Sequence, residues 1–216
     1  MASQISHIIY AKKYFEAIED GTLPEYAKYS LPIDFDRDLF LLGCTFPDIR
    51  RIDGTIRRKD THLAFDVLDL DFRTLDSFTA GWKFHLYCDM RREDILNKID
   101  FYKLPNASDF WNLSSKLLED RILYDTYNNW EKVMGFFQNP PFIETRINVS
   151  RETFELWYAI LAKYFERNPC RHSMIGFISK QPSLADIAED LVDSVDNLQK
   201  NDTVIKLLPR VKDEIV

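Results

Sequence analysis

The sequence predicts an all-α fold, a single multi-helix domain, and three observations predict it. Apolar residues recur at helical spacing through most of the 216 residues, as in the stripe of Ala11, Tyr14, Phe15 and Ile18. Residues that cap helices stand at the ends of the periodic segments: Ser108, Ser150 and Ser183 ahead of them, Gly21 behind the first. The one run that alternates like a strand, residues 67–72, has no pairing partner nearby and reads as helix or loop.

Length and composition narrow the class. At about 150 residues per domain the chain suits one core with an extension, divided here as a helical core over 1–137 and a C-terminal helical extension over 138–216 packed on the same domain. A domain of this size buries roughly 70% of its unfolded surface, so it needs no disulfide to fold. The three cysteines, Cys44, Cys88 and Cys170, show no paired spacing and read as reduced thiols of a cytoplasmic protein. No secretory signal is evident at the start, and no apolar run approaches the ~20 residues of a transmembrane segment. A net charge of −7 argues against non-specific nucleic-acid binding. The six glycines form neither a dinucleotide fingerprint nor a phosphate-binding P-loop.

Taken in order, residues 4–20 form an amphipathic helix closed by Gly21, with His7 on its apolar face. A lone histidine there is ordinarily a hydrogen-bonded core residue. Pro24 and Pro32 mark a loop over 22–34, and a short helix over 36–43 leads into Cys-Thr-Phe-Pro-Asp. Pro47 ends that helix and fixes Asp48 in a rigid turn, as a ligand or as the cap of the next turn. Residues 50–61 hold Arg50, Arg51, Arg57, Arg58 and Lys59, the one basic stretch in an acidic chain, and Arg50 and Arg51 are the candidate phosphate contacts.

A helix over 77–99 follows, with Gly81 placed for close approach of a backbone or ligand. Residues 108–137 read as one long helix on which Asp120 shares an apolar face with Leu113, Leu117, Tyr124 and Tyr127, while Glu119 reaches solvent. A carboxylate in that stripe must be paired, ligating or protonated. Asn139-Pro140-Pro141 breaks the chain before an aromatic-rich helix over 150–167. His172 lies in a loop-like stretch, a final acidic helix spans 184–200, and the tail beyond Asn201 is a short helix or frayed.

The chemistry concentrates on His85 and Asp89, four apart on the helix over 77–99 and therefore one turn apart on one face. Phe78, Trp82 and Leu86 make that face apolar. Read alone, such a pair is a solvated or hydrogen-bonded couple. Together with His7, Asp48 and His62 it becomes a set of three imidazoles and two carboxylates, mixed N/O donors that suit zinc, or manganese or iron. The fold is then one whose helices and Pro-Asp turn line a metal site. No His-Glu-x-x-His, di-iron Glu-x-x-His or adjacent His-Asp motif competes with it.

A histidine in the first helix, Leu42-Gly43-x-x-x-Pro47-Asp48, Thr61-His62 and Gly81-Trp82-x-x-His85-x-x-x-Asp89 together resemble the zinc-dependent phospholipase C family, related to S1/P1-type nucleases. The gaps of 41 and 14 residues between His7, Asp48 and His62 match that family's order. The resemblance covers residues 5–90. It implies an all-helical fold and a metal cluster in a cleft, with Asp48, His62 and His85 on one ion and Asp89 bridging to a second that His7 partly holds. It also implies attack of metal-activated water on a phosphodiester, with Asp48 as general base.

Family members use a mature N-terminal tryptophan amine and further histidines as ligands. This chain opens with Met1 and has no histidine between His85 and His172, which reduces the expectation to one or two ions and leaves Asp120 as a partial substitute among the catalytic carboxylates. The reading is a zinc-dependent hydrolase of a small phosphorylated substrate. The alternative is a catalytically degenerate helical scaffold or partner-binding protein that retains the cluster.

Overall fold

The computed structural model describes residues 4–23, 27, 31 and 34–216; the expected turn prolines Pro24 and Pro32 lie outside them. Among these residues the chain forms α1 (Gln4–Glu19), α2 (Arg37–Thr45), α3 (Arg58–His62), α4 (Ser77–Lys98), α5 (Asp109–Leu123), α6 (Trp130–Gln138), α7 (Arg151–Tyr164), α8 (Arg171–Ile178), α9 (Ala188–Leu198) and α10 (Asp202–Glu214), with no strand. The residues over 67–72 stay irregular. They are tied down by Lys83, whose Nζ reaches Asp69 Oδ1 at 2.6 Å and the Asp71 carbonyl at 2.9 Å. None of the helices in the described residues is long and apolar enough to cross a membrane.

Two glycines decide how the centre is built. A methyl group at Gly43 would stand 2.0 Å from the Phe78 carbonyl oxygen, and one at Gly81 would stand 2.0 Å from that of Phe40. Only the absence of a side chain at both positions lets α2 and α4 cross backbone to backbone. Their N-termini are set by Asp36, which accepts the Leu39 N–H, and Asp76, which accepts the Thr79 N–H, the usual role of aspartate at an N-cap. Around the crossing lies a dense aromatic core that includes Tyr14, Phe40, Phe72 and Phe84, all fully buried.

The C-terminal helices share this core. From α7, Trp157 Nε1 donates to the Thr45 carbonyl at 3.0 Å and Tyr158 Oη to the Leu42 carbonyl at 2.8 Å. Both carbonyls lie in the last turn of α2, and that of Leu42 also accepts from the Phe46 N–H and the Thr45 hydroxyl. So α7 fastens the end of the helix that delivers Asp48.

Several sequence expectations change. The helix expected over 108–137 is broken: Tyr124–Thr126 form a 3₁₀ turn between α5 and α6. Tyr124 stacks on Trp130 at 4.8 Å and donates to the Phe165 carbonyl, contacts that hold it in the turn. Ser108 makes no capping bond, because Phe110, Trp111 and Asn112 adopt left-handed backbone angles at the entry to α5. Ser183 does not cap α9, since a 3₁₀ turn over Ala185–Ile187 intervenes. His172 lies in the first turn of α8 rather than in a loop, and the tail is the 13-residue α10, capped by Asn201.

Candidate metal centre

The α2–α4 crossing places the centre. Because the two backbones touch, the Cys44 carbonyl at the end of α2 comes within 2.7 Å of His85 Nδ1 on α4. A carbonyl only accepts, so Nδ1 carries the proton and Nε2 is left with its lone pair. That Nε2 is buried and has no hydrogen-bond partner. On the other side, Trp82 Nε1 holds the Thr61 carbonyl at 2.7 Å and so positions the end of α3. There His62 Nδ1 is hydrogen-bonded to Thr61 Oγ1 at 2.8 Å, and its Nε2 is again buried without a partner. Fixing one ring nitrogen so that the other is aimed is how proteins orient metal-binding histidines.

Asp48 is the third component. Pro47 sits at the start of the 3₁₀ turn Phe46–Arg51, which carries the carboxylate from the end of α2 into the core. Asp48 Oδ2 accepts from Gln4 Nε2 at 2.8 Å, and Oδ1 stands 3.9 Å from His62 Nε2. Arg50 and Arg51 turn toward the same oxygen, at 3.8 and 4.0 Å. On α4, Asp89 Oδ2 is 3.8 Å from His85 Nε2, and its Oδ1 accepts from Lys116 Nζ at 3.4 Å. His7, on α1, lies against His85 with ring centroids 4.1 Å apart and its Nε2 3.3 Å from the His85 carbonyl oxygen.

Among the described residues, two sets of three side chains bring ligand atoms within 4.8 Å of one another: Asp48, His62 and His85, and His7, His85 and Asp89. All five residues singled out by spacing therefore meet, with His85 common to both sets. No family model matches the chain, and comparison with curated proteins and with solved structures returned no match. The site therefore stands on its own geometry.

Electrostatics make the cluster a donor set in the correct protonation state. Burial pushes both imidazoles, His62 and His85, down to about 4, so both are neutral at pH 7. Burial opposes charge on Asp48 as well, but the positive charge around it, the Arg51 guanidinium included, holds its carboxyl well below the usual range. Asp89 is likewise held low against burial, chiefly by the Lys116 ammonium. Neutral imidazole nitrogens thus face an ionised carboxylate in each set, Asp48 beside His62 and His85, and Asp89 beside His85. A cation is the species that would satisfy a buried arrangement of acceptors, and the mixed N/O set fits zinc or a neighbouring transition metal.

The cluster is not sealed. A cavity of about 320 Å³ opens onto His62 and Asp89 and is lined also by Arg58, Lys116, Leu86 and Met90. Arg50 and Arg51, the expected phosphate contacts, are paired with Asp48 and do not line this cavity, and burial pushes the Arg51 guanidinium down from its ordinary value. Arg58 and Lys116 are the cations that line the cavity.

Asp120 takes a different place. Its Oδ1 accepts the Ser6 N–H at 2.8 Å and the Ser6 hydroxyl at 3.1 Å, while Oδ2 accepts Tyr164 Oη at 3.2 Å. It caps the first turn of α1 and ties it to α5 and α7; its oxygens are committed outside the metal cluster. Glu119 also departs from expectation: it is fully buried, bonded to Arg92 Nε at 2.7 Å and to the Tyr10 hydroxyl. Lys116 was missed, although it lies on the stripe of Leu113, Leu117 and Asp120, at the same helical spacing that drew attention to Asp120.

Proposed function

We propose that the protein is a metal-dependent hydrolase of a phosphoester, in keeping with the phospholipase C-like order of its motifs. One observation carries the reading: the buried, neutral Nε2 atoms of His62 and His85, neither with a hydrogen-bond partner, face ionised carboxylates at the edge of a cavity lined by Arg58 and Lys116. Asp48, His62 and His85, with Asp89 and His7 adjoining, are the residues that would hold the ion, zinc by donor type. A bound ion would supply Lewis acidity and water acidified to a pKa near 7.

The chain's own residues would do the rest. Arg58 and Lys116 would receive the phosphoryl oxygens, since ammonium and guanidinium groups in a partly closed cavity bind oxyanions more strongly than in open water. Leu86 and Met90 would line the space beside the phosphate and restrict water there. Asp48, held low in pKa, is a weak base, and its place in the site is that of a ligand and an orienting hydrogen-bond acceptor.

Elemental analysis of the purified chain, followed by a panel of phosphomonoesters and phosphodiesters, tests the reading. The expected outcome is stoichiometric transition metal and hydrolysis of a phosphoester, both lost in His85→Ala. Full metal content in that variant would remove His85 from the site. A second reading, a scaffold without turnover, draws on Arg50 and Arg51 at 3.8 and 4.0 Å from Asp48, where guanidinium charge takes the part of the ion. It expects a folded, metal-free protein that hydrolyses none of the panel.

A further inference from the structure

We infer that the groove between α7 and α8 binds a small amphiphilic anion, an organic acid whose apolar body lies along the two helices and whose head group is received by Arg167 and Lys180. The groove shares no residue with the metal centre or with the cavity beside it, so the inference stands apart from the hydrolase reading.

The groove begins in the helical repeat of both elements. On α7, Ala159 and Lys163 stand four apart, and on α8 His172 and Gly176 do the same, which puts each pair along one face. Tyr164 and Phe177 lie at the base, both buried and stacked with ring centroids 4.2 Å apart. The Tyr164 hydroxyl is committed to Asp120 in the core at 3.2 Å, so this tyrosine serves the groove with its ring. With Ile160 the two rings form an apolar floor.

Gly176 is the residue that the fold does not explain. Glycine is among the weakest helix formers, yet it occupies the interior of α8 without a left-handed angle. At Gly43 and Gly81 the missing side chain admits another helix, whereas a methyl group at Gly176 would meet nothing within 4 Å. What the glycine leaves is room. The groove encloses about 510 Å³, within the range of roughly 300–1,000 Å³ that small-molecule sites occupy. Two turns of a partner helix, about 10 Å across with side chains, would fill roughly 850 Å³. The space therefore suits a small molecule better than a docked helix.

Charge decides the polarity of that molecule. The rim carries Lys163, Arg167 and Lys180, with Glu166 as its carboxylate. Lys163 Nζ donates to both oxygens of Glu166, at 2.9 and 2.7 Å, so that pair is self-contained. Arg167 and Lys180 are exposed on the same rim and are paired with no carboxylate among the described residues. Two uncommitted cations above an apolar floor, in a chain of net charge −7, favour a ligand that is apolar at one end and anionic at the other.

The test titrates the full chain with anilinonaphthalene sulfonate, an aromatic anion whose emission rises in apolar sites, and with phenylnaphthylamine, the same body without the charge. The sulfonate is expected to bind at one site. The neutral probe should bind at least ten-fold more weakly, the loss expected when a charge-assisted hydrogen bond is removed. Gly176→Leu fills the groove from a position where a side chain meets open space, so it should fold with an unchanged or raised melting temperature and lose the sulfonate. The double variant Arg167→Gln, Lys180→Gln should melt as the wild type does and weaken the sulfonate roughly ten-fold, with the neutral probe unmoved. No sulfonate binding by the wild type, or undiminished binding by Gly176→Leu, would overturn the site; equal affinity for the two probes would overturn its preference for an anion. A wild-type dimer in sedimentation that Gly176→Leu returns to monomer would also overturn the proposal, because a second copy of the chain would then fill the groove.

Discussion

Two polar clusters lie side by side in the same core and share three helices, the first drawing also on α3 and on the 3₁₀ turn that carries Asp48, and they are resolved in opposite ways. From α1 come His7 and Tyr10, from α4 come His85 and Arg92 two turns apart on one face, and from α5 come Lys116 and Glu119. In the second cluster every charge finds its partner inside the protein. Arg92 Nε meets Glu119 at 2.7 Å, its other nitrogens reach Ser115, Tyr102 and Glu93, and Glu119 also accepts from Tyr10. In the first cluster two imidazole nitrogens are buried with no partner. Burial of polar groups is costly in both places. Where the protein completes the hydrogen bonds itself the cluster is part of the scaffold; where it leaves imidazole nitrogens buried and unmatched, the proposed ion is what would complete them.

The sharpest way to break this comparison is to remove one member of the complete cluster. Arg92→Met leaves Glu119 buried without its counter-charge, which should cost about 3–5 kcal/mol in denaturant unfolding. The double variant Arg92→Met, Glu119→Leu should recover most of that loss, because neither charge is then stranded. A single-variant cost below about 1 kcal/mol would mean that Arg92 and Glu119 are not the closed pair described.

The incomplete cluster should respond to ligand instead. A metal that binds only the folded chain stabilises it by about 2.7 kcal/mol at one hundred times its dissociation constant. Zinc should therefore raise the unfolding free energy of the wild type by that order and leave His85→Ala unmoved, while Arg92→Met should still gain from it in full. If zinc stabilised His85→Ala as much as the wild type, its binding site would lie elsewhere.

How much of this was legible beforehand follows from what each signal depends on. The pairing of His85 with Asp89 follows local spacing, since i and i+4 on a helix share a face whatever surrounds them, whereas His7, Asp48 and His62 were tied to that pair only by the order of the motifs along the chain. Gly81 was readable as a point of close approach. Its partner Gly43 acquires its meaning only from the α2–α4 crossing, a contact between segments nearly forty residues apart. The break after Leu123 depends on Tyr124 reaching Phe165, and the burial of Glu119 depends on Arg92; neither is visible from within α5. Lys116 was visible on the stripe and passed over, because a lysine stem commonly runs along apolar surface with its charge in water. Here the residue as a whole is only 7% exposed.

Asp120 gives the finest test, because it belongs to the complete kind although sequence alone gave it a place among the catalytic carboxylates. Burial pushes its carboxyl up to about 7, partly offset by the bonds from Ser6, against about 3.9 in an unfolded chain. Between those values the folded protein holds a proton that the unfolded chain has released. Stability contributed by Asp120 is thus fullest below pH 4 and declines as pH rises toward 7, by at most about 1.4 kcal/mol per pH unit. His62 and His85, held neutral down to about 4, act in the opposite sense: the unfolded chain binds their protons first, so stability falls as pH drops from 6.5 to 4. Asp120→Asn keeps an acceptor for Ser6 and a donor for Tyr164 but cannot titrate. In metal-free protein it should leave the histidine slope alone, so that unfolding free energy rises with pH between 4 and 6.5 more steeply than in the wild type, with zinc stoichiometry unchanged. Equal slopes in variant and wild type would show that Asp120 is ionised across that range, and a loss of zinc would return it to the metal cluster.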